Sequence, residues 1–293
     1  MTIAPPGYPP LPEPLPSPVV DNHTHLDIPG TLRDADGPGR RFPSDEEVTA
    51  LLDAAEAVGV NRAVQIGCDL PAARWTVEAV RRHPRLIGGV AVHPNEAPRL
   101  AREGRLDEAL AEIERLAGQP RVRVVGETGL DHYRTDPDDD AALAAQEESF
   151  RAHVEMAGRL ERVLQIHDRD AHADVLAVLA DAGAPPRTVL HCFSGDADLA
   201  RTCVRNGWYL SFAGTVTFRN AAGLREALAA AGPERVLVET DAPYLTPVPH
   251  RGRPNASHLV PHTARVMADV LGLSVTEMCL RLDRATTEVY GTW

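Results

Sequence analysis

The feature that most limits what this chain can become is an alternation of two kinds of segment, repeated eight times. Short runs rich in Val, Ile and Leu stand at 19–24, 62–67, 86–92, 122–126, 163–167, 187–191, 208–213 and 236–240. Between them lie longer Ala-, Leu-, Glu- and Arg-rich stretches with helical periodicity, such as 45–58, 72–82, 106–116 and 141–159. The last run leads through a proline-rich loop to a helix at 258–271. Strands that alternate with helices build a parallel sheet, and eight such units predict an α/β fold closed as a (β/α)8 TIM barrel. An open doubly wound sheet is the competing architecture, but no Gly-x-Gly-x-x-Gly turn follows the first run. No low-complexity linker divides residues 19–293, which read as one domain. Residues 1–18 hold eight prolines, from Pro5 to Pro18, and predict an extended, polyproline-like arm, a plain tail outside the barrel.

What ends the apolar runs carries the chemistry. Six of the eight finish on a metal-capable residue. The first gives Asp21-Asn22-His23-Thr24-His25, the third His93, and the fourth Glu127 followed by Asp131. The fifth gives His167, the sixth His191 and the eighth Glu239-Thr240-Asp241. All strand C-termini of a parallel barrel open onto one face, so residues more than 200 positions apart converge there. His23 and His25, two apart on a strand, point the same way. Imidazoles and carboxylates gathered in one pocket need a compensating charge, which divalent cations supply. His23, His25, His167 and His191 with Glu127 and Asp241 exceed what one tetrahedral ion with an open position takes. They suit two adjacent ions, with Glu127 as the shared carboxylate. Such a pair activates a water and stabilises the leaving oxygen of a phosphoryl displacement. Mixed nitrogen and oxygen donors favour Zn, Mn or Fe; Mg fits only with more water and carboxylate.

Composition narrows the chemistry further. All 30 basic residues are Arg, so Schiff-base catalysis, a P-loop lysine and a carbamylated-lysine metal bridge are excluded. Against 42 acidic residues they leave a formal charge of −12. Broad electrostatic adhesion to a polyanion calls for the opposite balance, so contact with phosphate must be local.

Six motifs, in order, resemble the TatD family of metal-dependent hydrolases. They are DNHTHLD at 21–27, GETGLD at 126–131, QIHDR at 165–169, HCFSG at 191–195, SFAGTVTF at 211–218 and ETDAPYLTP at 239–247. The resemblance runs from about residue 19 to the C-terminus. It implies a TIM barrel with a divalent-metal-dependent hydrolase activity, usually a deoxyribonuclease with exonuclease action. Some members are linked instead to deacylation of D-aminoacyl-tRNA. By position it implies one ion on His23, His25, Glu127 and Asp241, and a second on Glu127, His167 and His191. Asp241 would be both ligand and general base, and His93 would lie near the substrate phosphate; Asp131 and Arg169 are expected on the substrate side as well. The chain departs from the family pattern in its N-terminal arm, at His132-Tyr133-Arg134 and at Asn255-Ala256-Ser257-His258. Those departures bear on substrate specificity.

The expected substrates are single-stranded or short DNA, or another small phosphate or acyl compound, with no membrane and no obligate protein partner. An amidohydrolase or deacylase using the same site is the rival reading, and a non-catalytic metal-binding scaffold a remote one. Arg134, Arg169, Arg219, Arg251 and Arg253 fall in or near loops after the strands and are candidates for phosphate contact. Among Tyr133, Phe193, Phe212, Phe218 and Tyr244, core packing outweighs base stacking for most. Residues 136–140 (Asp-Pro-Asp-Asp-Asp) are expected to cap a helix. His250, His258 and His262 are expected to face solvent. Cys68, Cys192, Cys203 and Cys279 are too scattered for a disulfide framework or a zinc ribbon. Without an apolar run of about 18 residues or a signal-like start, the expected location is cytoplasmic.

Overall fold

The computed structural model describes residues 3–28 and 41–293. Its strands are β1 (Val19–Thr24), β2 (Val60–Gly67), β3 (Leu86–Val90), β4 (Val122–Asp131), β5 (Val163–Arg169), β6 (Thr188–Leu190), β7 (Tyr209–Phe212) and β8 (Val236–Val238). The helices between and after them are α1 (Asp45–Glu56), α2 (Leu70–Arg82), α3 (Ala97–Arg102), α4 (Leu106–Ala117), α5 (Asp140–Arg159), α6 (His172–Ala182), α7 (Ala197–Arg205), α8 (Ala222–Ala231), α9 (Val260–Leu271) and α10 (Val275–Tyr290). Neighbouring strands pair in parallel in chain order from β1 to β8. A parallel bridge between Thr24 and Ala242 joins the two ends of the ring. There the His25 N–H donates to the Ala242 carbonyl (2.8 Å) and the Asp241 N–H to the His23 carbonyl (2.9 Å). This is the expected (β/α)8 barrel.

Strand periodicity explains how one face of the sheet is apolar at the bottom of the barrel and polar at the top. Val64, Ile66, Ile87, Val124, Val163, Val189, Tyr209 and Leu237 form one cluster with Ala285, Val289 and Tyr290 of α10. Successive side chains alternate, so the same face continues two residues further along each strand. From Val163 it runs through Gln165 to His167, from Val189 to His191, and from Leu237 through Glu239 to Asp241. On β1 it reads Asp21, His23, His25. β4 breaks the alternation: its register against β5 shifts between Val125 and Thr128, which brings Glu127 to the inward face that Val124 also occupies. Gly129, at φ 145°, lies so close to the His167 carbonyl that no side chain would fit there. A second apolar cluster fills the layer between sheet and helices, where Leu164, Ile166 and Leu210 join Phe150, Met267 and Leu282.

Several local expectations meet the structure directly. Asp139 is the N-cap of α5, its side chain accepting from the Ala142 N–H (3.0 Å). Phe193 and Phe212 are core residues. β4 extends to Asp131, so Glu127 lies within the strand, whereas β6 and β8 stop at Leu190 and Val238 and leave His191, Glu239 and Asp241 just beyond their ends.

The N-terminal arm is not a free tail. Leu15 is buried in the main core and its N–H donates to the Val58 carbonyl (3.0 Å). Arg265 donates to the carbonyls of Glu13 (2.8 Å) and Pro14 (3.2 Å). His258, expected to face solvent, is fully buried under the arm and bonds the Pro9 carbonyl through Nε2 (3.1 Å), with Tyr8 packed edge-on against it. Prolines lack a donor but keep their carbonyls, and the arm is held largely through those acceptors. Leu15→Ala is therefore expected to cost about 2–3 kcal/mol in chemical denaturation; a change near zero would restore the free-tail picture.

Behind β3 and β4, α5 carries a fully buried imidazole, His153. Its Nδ1 donates to the Ser149 carbonyl (2.6 Å), and its Nε2 accepts from the Val92 N–H (3.2 Å). Burial lowers its pKa from 6.5 to about 4, against the opposing effect of the Ser149 bond. The unfolded chain thus binds this proton more readily than the folded one. The associated stability is complete above pH 6.5 and falls as pH drops toward 4, by about 3 kcal/mol in all. Denaturation midpoints across that window should fall with acidity, and less steeply in His153→Gln.

Candidate metal centre

At the top of β1, His23 Nε2 and His25 Nε2 face each other at 3.1 Å. Asp241 Oδ1 lies 3.8 and 3.3 Å from these two nitrogens, and Glu127 Oε2 lies 3.6 and 3.8 Å from them. The other ring nitrogens fix the tautomers. His23 Nδ1 donates to Gln165 Oε1 (2.8 Å), whose amide is oriented because Nε2 donates to the Asn22 carbonyl (2.9 Å) and the Tyr290 hydroxyl (2.8 Å). His25 Nδ1 donates to the Ile66 carbonyl (3.0 Å). A neutral imidazole that donates through Nδ1 presents only a lone pair at Nε2. The two Nε2 atoms and the two carboxylate oxygens therefore crowd together and draw in positive charge, a second proton on His25 when no metal is bound. Such a group repels itself unless positive charge sits within it, and a divalent cation fits the donor set.

The second oxygen of Glu127 serves a separate group. Its Oε1 lies 2.5 Å from His167 Nδ1, 2.7 Å from His191 Nε2 and 3.4 Å from His93 Nε2. The outer nitrogens are again braced. His167 Nε2 donates to Asp131 Oδ2 (3.2 Å), and His191 Nδ1 to Glu239 Oε1 (3.3 Å). His23, His25 and Asp241 bring ligand atoms within 4.8 Å of one another, as do His93, Glu127 and His167.

Proton affinities reflect the same demand for charge. Burial opposes the ionised form of Glu127, yet His191, His93 and His167 outweigh it and hold the carboxyl well below the usual range. Asp241 is likewise lowered against its burial, by His25 and His23. Burial also opposes charge on His25, but Asp241 and Glu127 raise it to about 10. Two ligand loops are backbone-strained: Cys192 has φ 42° and Asp241 φ 53°, a left-handed region costing about 1–3 kcal/mol for such residues. The Cys192 N–H is held by Glu239 Oε1 (2.7 Å) and the Asp241 N–H by the His23 carbonyl (2.9 Å).

A sequence profile described as TatD-related DNase matches residues 20–291. The chain belongs to the TatD family. A relative from Mycobacterium tuberculosis, called an uncharacterized metal-dependent hydrolase TatD, is 44% identical over 274 residues, covering 93% of this chain and 98% of its own. The Escherichia coli K12 protein YcfH, called an uncharacterized metal-dependent hydrolase, is 36% identical over 266 residues, covering 89% of this chain and 91% of its own. Among solved structures, the TatD homologue YJJV from E. coli K12 superposes with a TM-score of 0.81 at 22% identity, over 94% of this chain and 98% of that one. The protein is accordingly a metal-dependent hydrolase of the TatD family.

In this TatD protein the six ligand candidates, His23, His25, Glu127, His167, His191 and Asp241, all meet at the barrel mouth. All but the fully buried His23 border a cavity of about 480 Å³ that also takes in His93, Asn95, Arg134, Arg169 and Tyr244. Asp131, expected on the substrate side, lines the same cavity, but its side chain is buried against His167; besides that ring it accepts from Asn95 Nδ2 and the Arg134 N–H. Arg169 stacks on Tyr133, 3.9 Å from the ring centre. Arg251 and Arg253, two of the candidates for phosphate contact, are engaged elsewhere. Arg251 lies over Phe218 (4.1 Å), and Arg253 reaches the Gly7 and Tyr8 carbonyls of the arm (3.5 and 3.4 Å). Arg219 is exposed and does not border the cavity. Gln165 and Cys68 were given no role in the sequence, and Glu239 was named only as part of a strand ending, without the bracing role it has here. Gln165 and Glu239 each lie two residues before a ligand candidate on the same strand face, so periodicity could have found their roles; Cys68, just past β2, carried no such signal. Among the described residues all four cysteines are free, and no helix is long and apolar enough to cross a membrane.

Proposed function

We propose that this TatD protein is a phosphodiesterase acting on single-stranded or short DNA, with two divalent ions sharing Glu127. The observation that carries the reading is the divided carboxylate. One Glu127 oxygen faces His23 and His25, the other His167 and His191, and both groups open into a cavity that Arg134 and Arg169 also border. When bound, the ions acidify a water and neutralise charge developing on phosphoryl oxygens, the chemistry an in-line displacement needs.

The chain's own residues do the rest. Asp241, ionised at neutral pH, takes the proton of the attacking water. Asp131 and Glu239 fix the ring orientations of His167 and His191 from behind. Arg134 and Arg169 hold the non-bridging oxygens, bidentately where geometry allows. A chain of net charge −12 with two Arg at one mouth favours a strand end or a short oligonucleotide over long duplex.

The test compares substrates on one metal-loaded preparation: a labelled single-stranded oligonucleotide, its duplex, and panels of aryl esters and N-acyl amino acids. Shortening of the single strand, with weaker action on the duplex, is expected. Turnover confined to esters or amides would replace this reading with a deacylase.

A further inference from the structure

Cys68 stands where neither the resemblance nor the strand pattern places a functional residue, in the wall of the catalytic cavity. Its Sγ lies 3.4 Å from Glu127 Oε2, the oxygen turned toward His23 and His25, and 3.9 Å from His25 Nδ1. His25, Cys68 and Glu127 each bring a ligand atom within 4.8 Å of the other two. The sulfur thus touches the oxygen of the candidate bridge that serves the His23–His25 side; toward His25 it faces Nδ1, the nitrogen that donates to the Ile66 carbonyl, and not the metal-facing Nε2.

We propose that Cys68 supplies a sulfur ligand to the ion on the His23–His25 side, giving the two positions unlike metal preferences. The inference rests on the metal-centre reading above. Softness gives it content. Thiolate favours Zn and disfavours Mg and Mn, whereas imidazole and carboxylate alone are far less selective. Among the described residues, the close contacts of Glu127 Oε1 are His167, His191 and His93, with no sulfur, so the His167–His191 side keeps the mixed nitrogen and oxygen character that tolerates Mn. On binding, the S–H bond is exchanged for a sulfur–metal bond and the proton leaves to solvent. The Glu127 oxygen that accepted the S–H bond is freed for the same ion.

The test is the absorption spectrum of the full chain, stripped and reloaded with Co(II) under reducing conditions, for the parent, Cys68→Ser and Cys192→Ser. Cys192 is the other thiol in the cavity wall and serves as the control. The parent should show visible d–d bands and a near-ultraviolet sulfur-to-cobalt charge-transfer band. Cys68→Ser should lose the charge-transfer band and keep d–d absorption; Cys192→Ser should keep both. In competition dialysis, Cys68→Ser should lose roughly 10–100-fold in Zn affinity and much less in Mn affinity. Circular dichroism checks that each variant is folded. Parent d–d bands without charge transfer would overturn the role of Cys68 and leave the metal centre standing. A charge-transfer band that survives in Cys68→Ser and vanishes in Cys192→Ser would also overturn it. No cobalt uptake at all would remove the metal-centre reading, and this inference with it.

Discussion

Asp241→Asn is expected to fold normally and to lose about 10²–10⁴-fold in turnover, the range a general base contributes. Asn keeps the size of the side chain, and the backbone contacts that hold this left-handed residue do not involve the carboxylate. What disappears is the negative oxygen 3.3 Å from His25 Nε2, which both attracts a cation and accepts a proton. Those two losses are separable. Turnover should be measured at metal contents matched by elemental analysis, so that weaker binding is not mistaken for lost proton transfer. Near-parent turnover at equal metal loading would sink the assignment of Asp241 as base.

Glu127→Ala should be more damaging still, because one substitution empties both sides of the centre. The parent carboxylate offers Oε1 to His167 and His191 and Oε2 to His23 and His25. Without it the two histidine groups share no anion, and neither retains the charge that offsets a divalent ion. We expect at least a 10³-fold loss of hydrolysis, as an order of magnitude, with bound metal falling from two ions per chain to one or fewer. Equilibrium dialysis followed by elemental analysis reads the second effect directly. A variant that still binds two ions tightly would show that Glu127 is not the bridge.

The barrel was legible in the sequence because short Val-, Ile- and Leu-rich runs alternate with helical stretches eight times, even though polar residues such as Asp21, Arg62 and Gln165 interrupt some of the strands. The ligand candidates were legible because a parallel barrel gathers all strand ends on one side. His23, His167 and His191 therefore needed only their positions after apolar runs to be brought together. Orientation was harder to read. Asp131 and His167 both lie at strand ends, yet only contacts across β4 and β5 show that one braces the other. The inward turn of Glu127 depends on a register shift between Val125 and Thr128, which no residue pattern announces. Arg253 and His258 were misjudged for a related reason. The proline-rich arm that occupies them is held through backbone carbonyls, and carbonyls leave no mark in a sequence.

The most direct measurement of the central claim is metal stoichiometry joined to cleavage. The protein is stripped, reloaded separately with Mg, Mn or Zn, analysed for bound ions, and given one labelled single-stranded DNA oligonucleotide. Two ions per chain and shortening of the strand that depends on them are the predicted result. A stripped protein that cleaves as well as the reloaded one, or a chain that takes up no divalent ion, would contradict it.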